Sequence, residues 1–212
     1  MKSLDFLIIG AQKCATTTLF EHLRSHPRIA MPLEKEVPFF TGEDCSAQSW
    51  EAFARDQFGR EQEDKLWGKA SPQYMSDPNV AARIQKLMPD IKLVAILRDP
   101  IARTWSHFRM GQRRDTEHRE FSEAIASLLA TSGQAAGHSP VLPDHAQGYQ
   151  SEADFYVAWS EYGRILKEFT ACFDPGQLLV LYTEDLENDP AATVDQLLEF
   201  IGLPVGFRPP TL

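Results

Sequence analysis

Two kinds of hydrophobic pattern alternate along this chain. Short, nearly continuous apolar runs lie at 5–9, 65–69, 92–97 and 177–182, with a weaker one at 28–31. Between them, apolar residues recur every three or four positions over 16–25, 48–58, 78–88, 100–112, 120–131, 153–173 and 190–201. Runs without polar alternation predict strands buried on both faces, and the three-to-four spacing predicts amphipathic helices. Strand and helix in turn predict a three-layer α/β fold, a mostly parallel central sheet with helices on both faces. At 212 residues and 43% apolar content the chain can bury one such core, and no internal repeat marks a second. One domain over 1–212 is therefore expected. Residues 132–150, SGQAAGHSPVLPDHAQGYQ, break the pattern. A stretch this long without periodicity is expected to be a flexible lid or substrate loop.

The ends of two strands carry the candidate chemistry. The first run, Leu4 to Ile9, stops at Gly10, and a short loop then brings Lys13 and the hydroxyls of Thr16, Thr17 and Thr18. Leu19, Phe20 and Leu23 open a helix directly afterwards. Strand, glycine turn, lysine, hydroxyls and helix make an anion cradle, because free N–H groups and the positive helix end converge beside a full charge. The order is not the nucleotide-triphosphatase pattern G-x-x-x-x-G-K-S/T, since no second glycine precedes Lys13. The second strand end reads KLVAILRDPIARTWS over 92–106. Pro100 suits the first turn of a helix and Asp99 its cap. Arg98 then emerges at the carboxyl end of the strand, where open α/β sheets bind ligands. Arg98 and Ser106 suit phosphate oxygens, whereas Asp99 and Arg103 are spaced as an i,i+4 helix pair.

The loop G-A-Q-K-C-A-T-T-T-L resembles the 5′-phosphosulfate loop of sulfotransferases that use 3′-phosphoadenosine 5′-phosphosulfate (PAPS). R-D-P-x-x-R-x-x-S is similar to the 3′-phosphate segment of the same family. LEKEVPFF at 33–40 and KASPQY at 69–74 resemble further segments of its heparan-sulfate-type and bacterial members, and EYGRILKEF and LLVLYTEDLENDP resemble its later helix and strand. The resemblance covers nearly the whole chain. It implies a P-loop-like phosphosulfate-binding fold and transfer of a sulfuryl group from PAPS to a hydroxyl or amine of a small-molecule or glycan acceptor, leaving 3′-phosphoadenosine 5′-phosphate. It implies Lys13, Glu36 and Lys69 as catalytic residues, with Glu36 the base. Gln12, Lys13, Cys14, Ala15, Thr16, Thr17, Thr18, Arg98 and Ser106 would bind the donor, and no metal is implied. Val37, Phe39 and Phe40 are expected to wall Glu36 from water and raise its pKa. Members of this group usually continue past the helix end at Phe200–Leu203 into a basic loop over the nucleotide. Arg208 is the one basic residue in the last ten here. The rival readings are a P-loop nucleotide kinase, with Asp99 on magnesium, and a non-catalytic nucleotide-binding module.

Charge and composition narrow the partners. A net charge of −9 argues against nucleic acid or a membrane surface. It focuses attention on the local cations Lys13, Lys69, Arg98 and Arg103 as a small-anion pocket. No apolar run approaches the roughly 18 residues of a membrane span. Cys14, Cys45 and Cys172 have no metal-ligand spacing and fit a reducing, cytoplasmic setting. Cys14 is expected to fill space in the loop rather than to react. The histidines show no metal pattern, although His138 or His145 could meet the acceptor.

Overall fold

The computed structural model describes residues 2–59, 62, 64–132 and 149–210. The lid expectation for 132–150, with His138 and His145, falls almost entirely outside them. Five strands form one wholly parallel sheet in the order β2-β3-β1-β4-β5: β1 Phe6–Gly10, β2 Ile29–Ala30, β3 Leu66–Ala70, β4 Lys92–Leu97 and β5 Leu178–Tyr182. Every residue of β1 is buried, and so is β4 beyond Lys92. This is what their unbroken apolar runs require of a sheet covered on both faces. The covering helices are α1 Thr16–Arg24, α2 Ala47–Phe58, α3 Val80–Leu87, α4 Pro100–Arg113, α5 Phe121–Ser132, α6 Tyr162–Cys172, α7 Thr183–Asn188 and α8 Pro190–Ile201. Helix α1 packs beside α8, and α3 beside α6.

Most predicted elements are found within a residue or two, and three differ. The segment expected as one helix over 153–173 divides into two short 3-10 turns, Tyr149–Asp154 and Ala158–Ser160, followed by α6. Tyr156 lies between those turns because its carbonyl accepts from Arg103 and Thr104 side chains, a tertiary demand that periodicity does not carry. A 3-10 turn at Pro72–Ser76 and the six-residue α7 were not anticipated, both being too short for a 3.6-residue period to show.

The central strand places the loop. β1 pairs with β3 on one side and with β4 on the other, Gly10 standing opposite Ala95. The pairing continues past the strand, since Ala11 N donates to Ile96 O at 2.8 Å. The loop after β1 and the turn after β4 therefore leave the sheet side by side. Packing around β1 leaves no slack. Gly68 stands in register with Phe6, and a Cβ added to Gly68 would sit 2.0 Å from the phenyl Cζ. Gly68→Ala is expected to lower the unfolding free energy in urea by about 2–3 kcal/mol, at the upper end for overpacking. A loss of under about 0.5 kcal/mol would show that Phe6 can move aside.

Candidate functional site

The loop between β1 and α1 is built around two non-glycine residues in the left-handed region, Lys13 at φ 70° and Ala15 at φ 56°, with Cys14 between them at negative φ. Alternating handedness curls successive N–H groups into a concave nest that favours anions. Ala15 is also the N-cap of α1, and no side chain caps that helix. The first N–H groups of α1 are thus left for a ligand. Gly10 is required just before the loop. At φ 155°, a Cβ there would lie 2.8 Å from Met75 and 3.0 Å from Pro72 O.

An open cleft of about 450 Å³ lies over this loop, lined by Gln12, Lys13, Ala15, Thr16, Thr17, Glu36, Pro72, Gln73, Arg98, Ser106, Met110, Arg114, Glu152, Thr183 and Glu187. Eight of the eleven residues assigned from sequence meet here: Gln12, Lys13, Ala15, Thr16 and Thr17 from the loop and α1, Glu36, Arg98 from the end of β4, and Ser106 two turns along α4. Arg98 is half-buried, and among the described residues its guanidinium has no hydrogen-bond or ion-pair partner. Lys13 is held below the usual lysine range, by burial first and then by Arg113, Arg114, Arg98 and Arg103. Like charges crowd the loop, and a bound anion would relieve them.

Three assigned residues stand off the cleft wall. Cys14 is fully buried, with its Sγ 3.6 Å from Tyr162 Oη and 3.7 Å from Gln12 O. Burial raises its thiol pKa, so it is the inert packing residue expected. Thr18 is half-buried on α1 and does not line the cleft. Lys69 is fully buried beneath it; its Nζ donates to Ser71 Oγ at 2.5 Å and lies 5.2 Å from the Tyr74 ring. Burial lowers its pKa to about 7, against the opposing pull of Glu36.

Two sequence expectations are corrected. Arg103 does not pair with Asp99. It is fully buried, donates to Ser160 Oγ and Tyr156 O, and touches His107 Nδ1, tying α4 to the segment before α6. Asp99 instead caps α4 by accepting from Ala102 N at 2.7 Å. Arg103 thus belongs to the core and not to the anion pocket. Glu36 is not raised in pKa. Burial pushes it up, but the hydrogen bond and charge of Lys35, the amide of Gln73 and the charge of Lys69 together bring it below the ordinary glutamate value. Val37 is only half-buried and Pro38 is exposed, so the apolar run does not wall the carboxylate; its side chain is 43% exposed.

Sequence reasoning passed over Lys35, Gln73, Arg114, Glu152 and Thr183. Arg114 had a signal, since Ser106, Met110 and Arg114 repeat every four residues along α4 and into its C-cap. Glu152 had none. It reaches Gln12 Nε2 (3.5 Å), His107 Nε2 (3.6 Å) and Arg114 Nη1 (3.7 Å) from a segment without periodicity. His107 is buried, and burial takes its pKa down to about 4. Arg103 can only donate, so Nδ1 accepts and the neutral ring carries its proton on Nε2, facing Glu152. Arg208 pairs with Asp195 on α8, away from the cleft.

Comparison with known proteins bears on the family and the fold. The model of a family described as "Sulfotransferase family" matches residues 5–207. The chain belongs to this family. Mouse heparan sulfate glucosamine 3-O-sulfotransferase 3A1 is 28% identical over 202 residues, 93% of this chain and 45% of that protein. The membrane-associated sulfotransferase kil1 of Dictyostelium discoideum is 35% identical over 107 residues, 50% of this chain and 23% of that protein. The chain therefore spans less than half the length of these relatives. Among solved structures, a sulfotransferase from Alicyclobacillus acidocaldarius superposes with a TM-score of 0.79 at 26% identity, covering 99% of this chain and 85% of that one. A mouse sulfotransferase complexed with PAP shares the fold, with a TM-score of 0.55 at 13% identity, covering 97% of this chain and 60% of that one. No helix among the described residues is long and apolar enough to cross a membrane.

The burial of Cys14 has a direct consequence. In the native protein Cys45 and Cys172, both partly exposed, should alkylate with iodoacetamide while Cys14 stays unmodified until the protein is unfolded. Peptide mass spectrometry reads this, and native labelling of Cys14 at the rate of the other two would mean that the loop opens.

Proposed function

We propose that this chain transfers a sulfuryl group from PAPS to a hydroxyl or amine of a small-molecule or glycan acceptor. The observation that carries the reading is an unpartnered Arg98 guanidinium facing the same cleft as Lys13 and the uncapped start of α1. Two separated cationic points suit a ligand with two separated anionic groups, and the 3′,5′-bisphosphate of this donor is such a ligand. Arg98 and Ser106 would hold the 3′-phosphate. The loop N–H groups with Thr16 and Thr17 would hold the 5′-phosphosulfate. PAPS, when bound, supplies the activated sulfuryl group.

The residues of the chain divide the remaining work. Lys13 stands where charge on the leaving 5′-phosphate oxygen needs offsetting, and such preorganised charge acts without reorganisation. Glu36 is ionised at neutral pH and is the proposed acceptor of the acceptor's proton, its orientation fixed by Gln73 Nε2 on Oε2 at 3.2 Å. Lys69 contributes its charge from beneath, through Glu36 and the Ser71 hydroxyl. Its pKa of about 7 makes that contribution fall as the pH rises past neutrality. Asp99 caps α4 and does not line the cleft, which favours this reading over a nucleotide kinase with Asp99 on magnesium.

Glu36→Gln keeps the shape and the contact with Gln73 but cannot take a proton. Sulfate transfer from labelled PAPS should slow by about a hundredfold or more, the usual effect of losing a general base. Binding of adenosine 3′,5′-bisphosphate should not be weakened. Near wild-type turnover by a folded Glu36→Gln protein would remove Glu36 as the base.

A further inference from the structure

The proposed chemistry leaves Lys35 unused, although Lys35 stands between the anion loop and the base. It lies between two exposed glutamates, Glu34 and Glu36, yet its own side chain is only 14% exposed. Its Nζ donates to Glu36 Oε1 and also lies 3.5 Å from Thr16 Oγ1 in the first turn of α1. The second carboxylate oxygen accepts from Gln73. One oxygen of Glu36 is thus held by a neutral amide, and the other by a cation that also touches the donor-binding loop.

We propose that Lys35 is a positioning residue that couples occupancy of the anion loop to the base, gripping Glu36 when the loop carries no anion and being shared with the anion when it does. The proposal rests on the reading of Glu36 as base. An ammonium between two anions divides its attraction between them. A donor held at Thr16 therefore weakens the hold on Glu36 and raises its proton affinity at the moment a base is needed. By linkage, the effect is reciprocal. Among the described residues, the groups acting most strongly on Glu36 are Lys35 from its own segment, the uncharged Gln73 from the 3-10 turn, and Lys69 from β3, while Lys13 lines the same cleft. Without Lys35, burial is the largest influence left and acts to raise the carboxyl's pKa.

The test is a 13C NMR titration of the Glu36 carboxyl in the full chain, alongside the pH dependence of kcat/KM for transfer. In Lys35→Met the midpoint should rise by about one pH unit or more, tenfold in protonation equilibrium. The acid limb of kcat/KM should move up by the same amount. Adenosine 3′,5′-bisphosphate should raise the midpoint in the wild type, and by clearly less in Lys35→Met. Lys35→Arg, which keeps the charge, should restore both the midpoint and its response. An unmoved midpoint, or an equal response to the bisphosphate in Lys35→Met and wild type, overturns the role of Lys35 alone. A midpoint that moves while the acid limb stays fixed takes the base role from Glu36 and this assignment with it. A lysine that only held the loop together would lower activity equally at every pH and leave the midpoint where it was.

Discussion

The parallel pairing of β1 with β4 is the constraint on which the rest depends. It runs from Phe6 opposite Lys92 to Gly10 opposite Ala95, and the bond from Ala11 N to Ile96 O carries it one residue past the strand. That extension sets the start of the anion loop beside the residues that lead to Arg98. The tightness of the surroundings preserves the alignment, since neither Gly10 nor Gly68 has room for a methyl group. Tyr162 adds a tie above the sheet, its hydroxyl lying against Cys14 Sγ and the Arg98 backbone. A cationic cleft then follows from where two strands end.

The charges of the cleft make sense only as a pair of environments. In a chain with net charge −9, burial first and then four arginines lower the pKa of Lys13, and Arg98 has no partner among the described residues. Cations left unpaired in a half-buried site cost stability, and an anionic ligand recovers it. On the other side, Glu36 is held at both oxygens, by Lys35 and Gln73, and Lys69 is fully buried under the same corner. One end of the cleft is short of anions and the other is internally neutralised. That asymmetry supports the proposed orientation, with the donor toward the arginines and the acceptor toward Glu36.

Much of this was legible in the sequence because the decisive features are local. The strand–glycine–lysine–threonine order and the R-D-P start of α4 each sit within about fifteen residues, and each fixes a backbone geometry that the residues themselves dictate. Arg98 was legible because a strand end with a proline-started helix leaves its side chain one place to go. Arg103 was misread because an i,i+4 spacing to Asp99 is only a local possibility. Its real partners, Tyr156 and Ser160, are more than fifty residues away in sequence. The pKa of Glu36 was misjudged for a related reason, as apolar neighbours in sequence say nothing about whether a carboxylate is covered. Here Lys35, Gln73 and Lys69 together outweigh burial. Glu152 was invisible because it meets Gln12 and His107 only through tertiary packing.

The central claim is that the cleft is a site for two separated phosphate-like groups, one on the loop and one at Arg98. Isothermal titration of the wild-type protein with adenosine 3′,5′-bisphosphate and with adenosine 5′-phosphate measures the second group directly. The bisphosphate should bind more tightly by about 1.5–3 kcal/mol, the scale of a charge-assisted hydrogen bond. Equal affinities would show that Arg98 and Ser106 do not read a 3′-phosphate, and the two-point account of the cleft would fail.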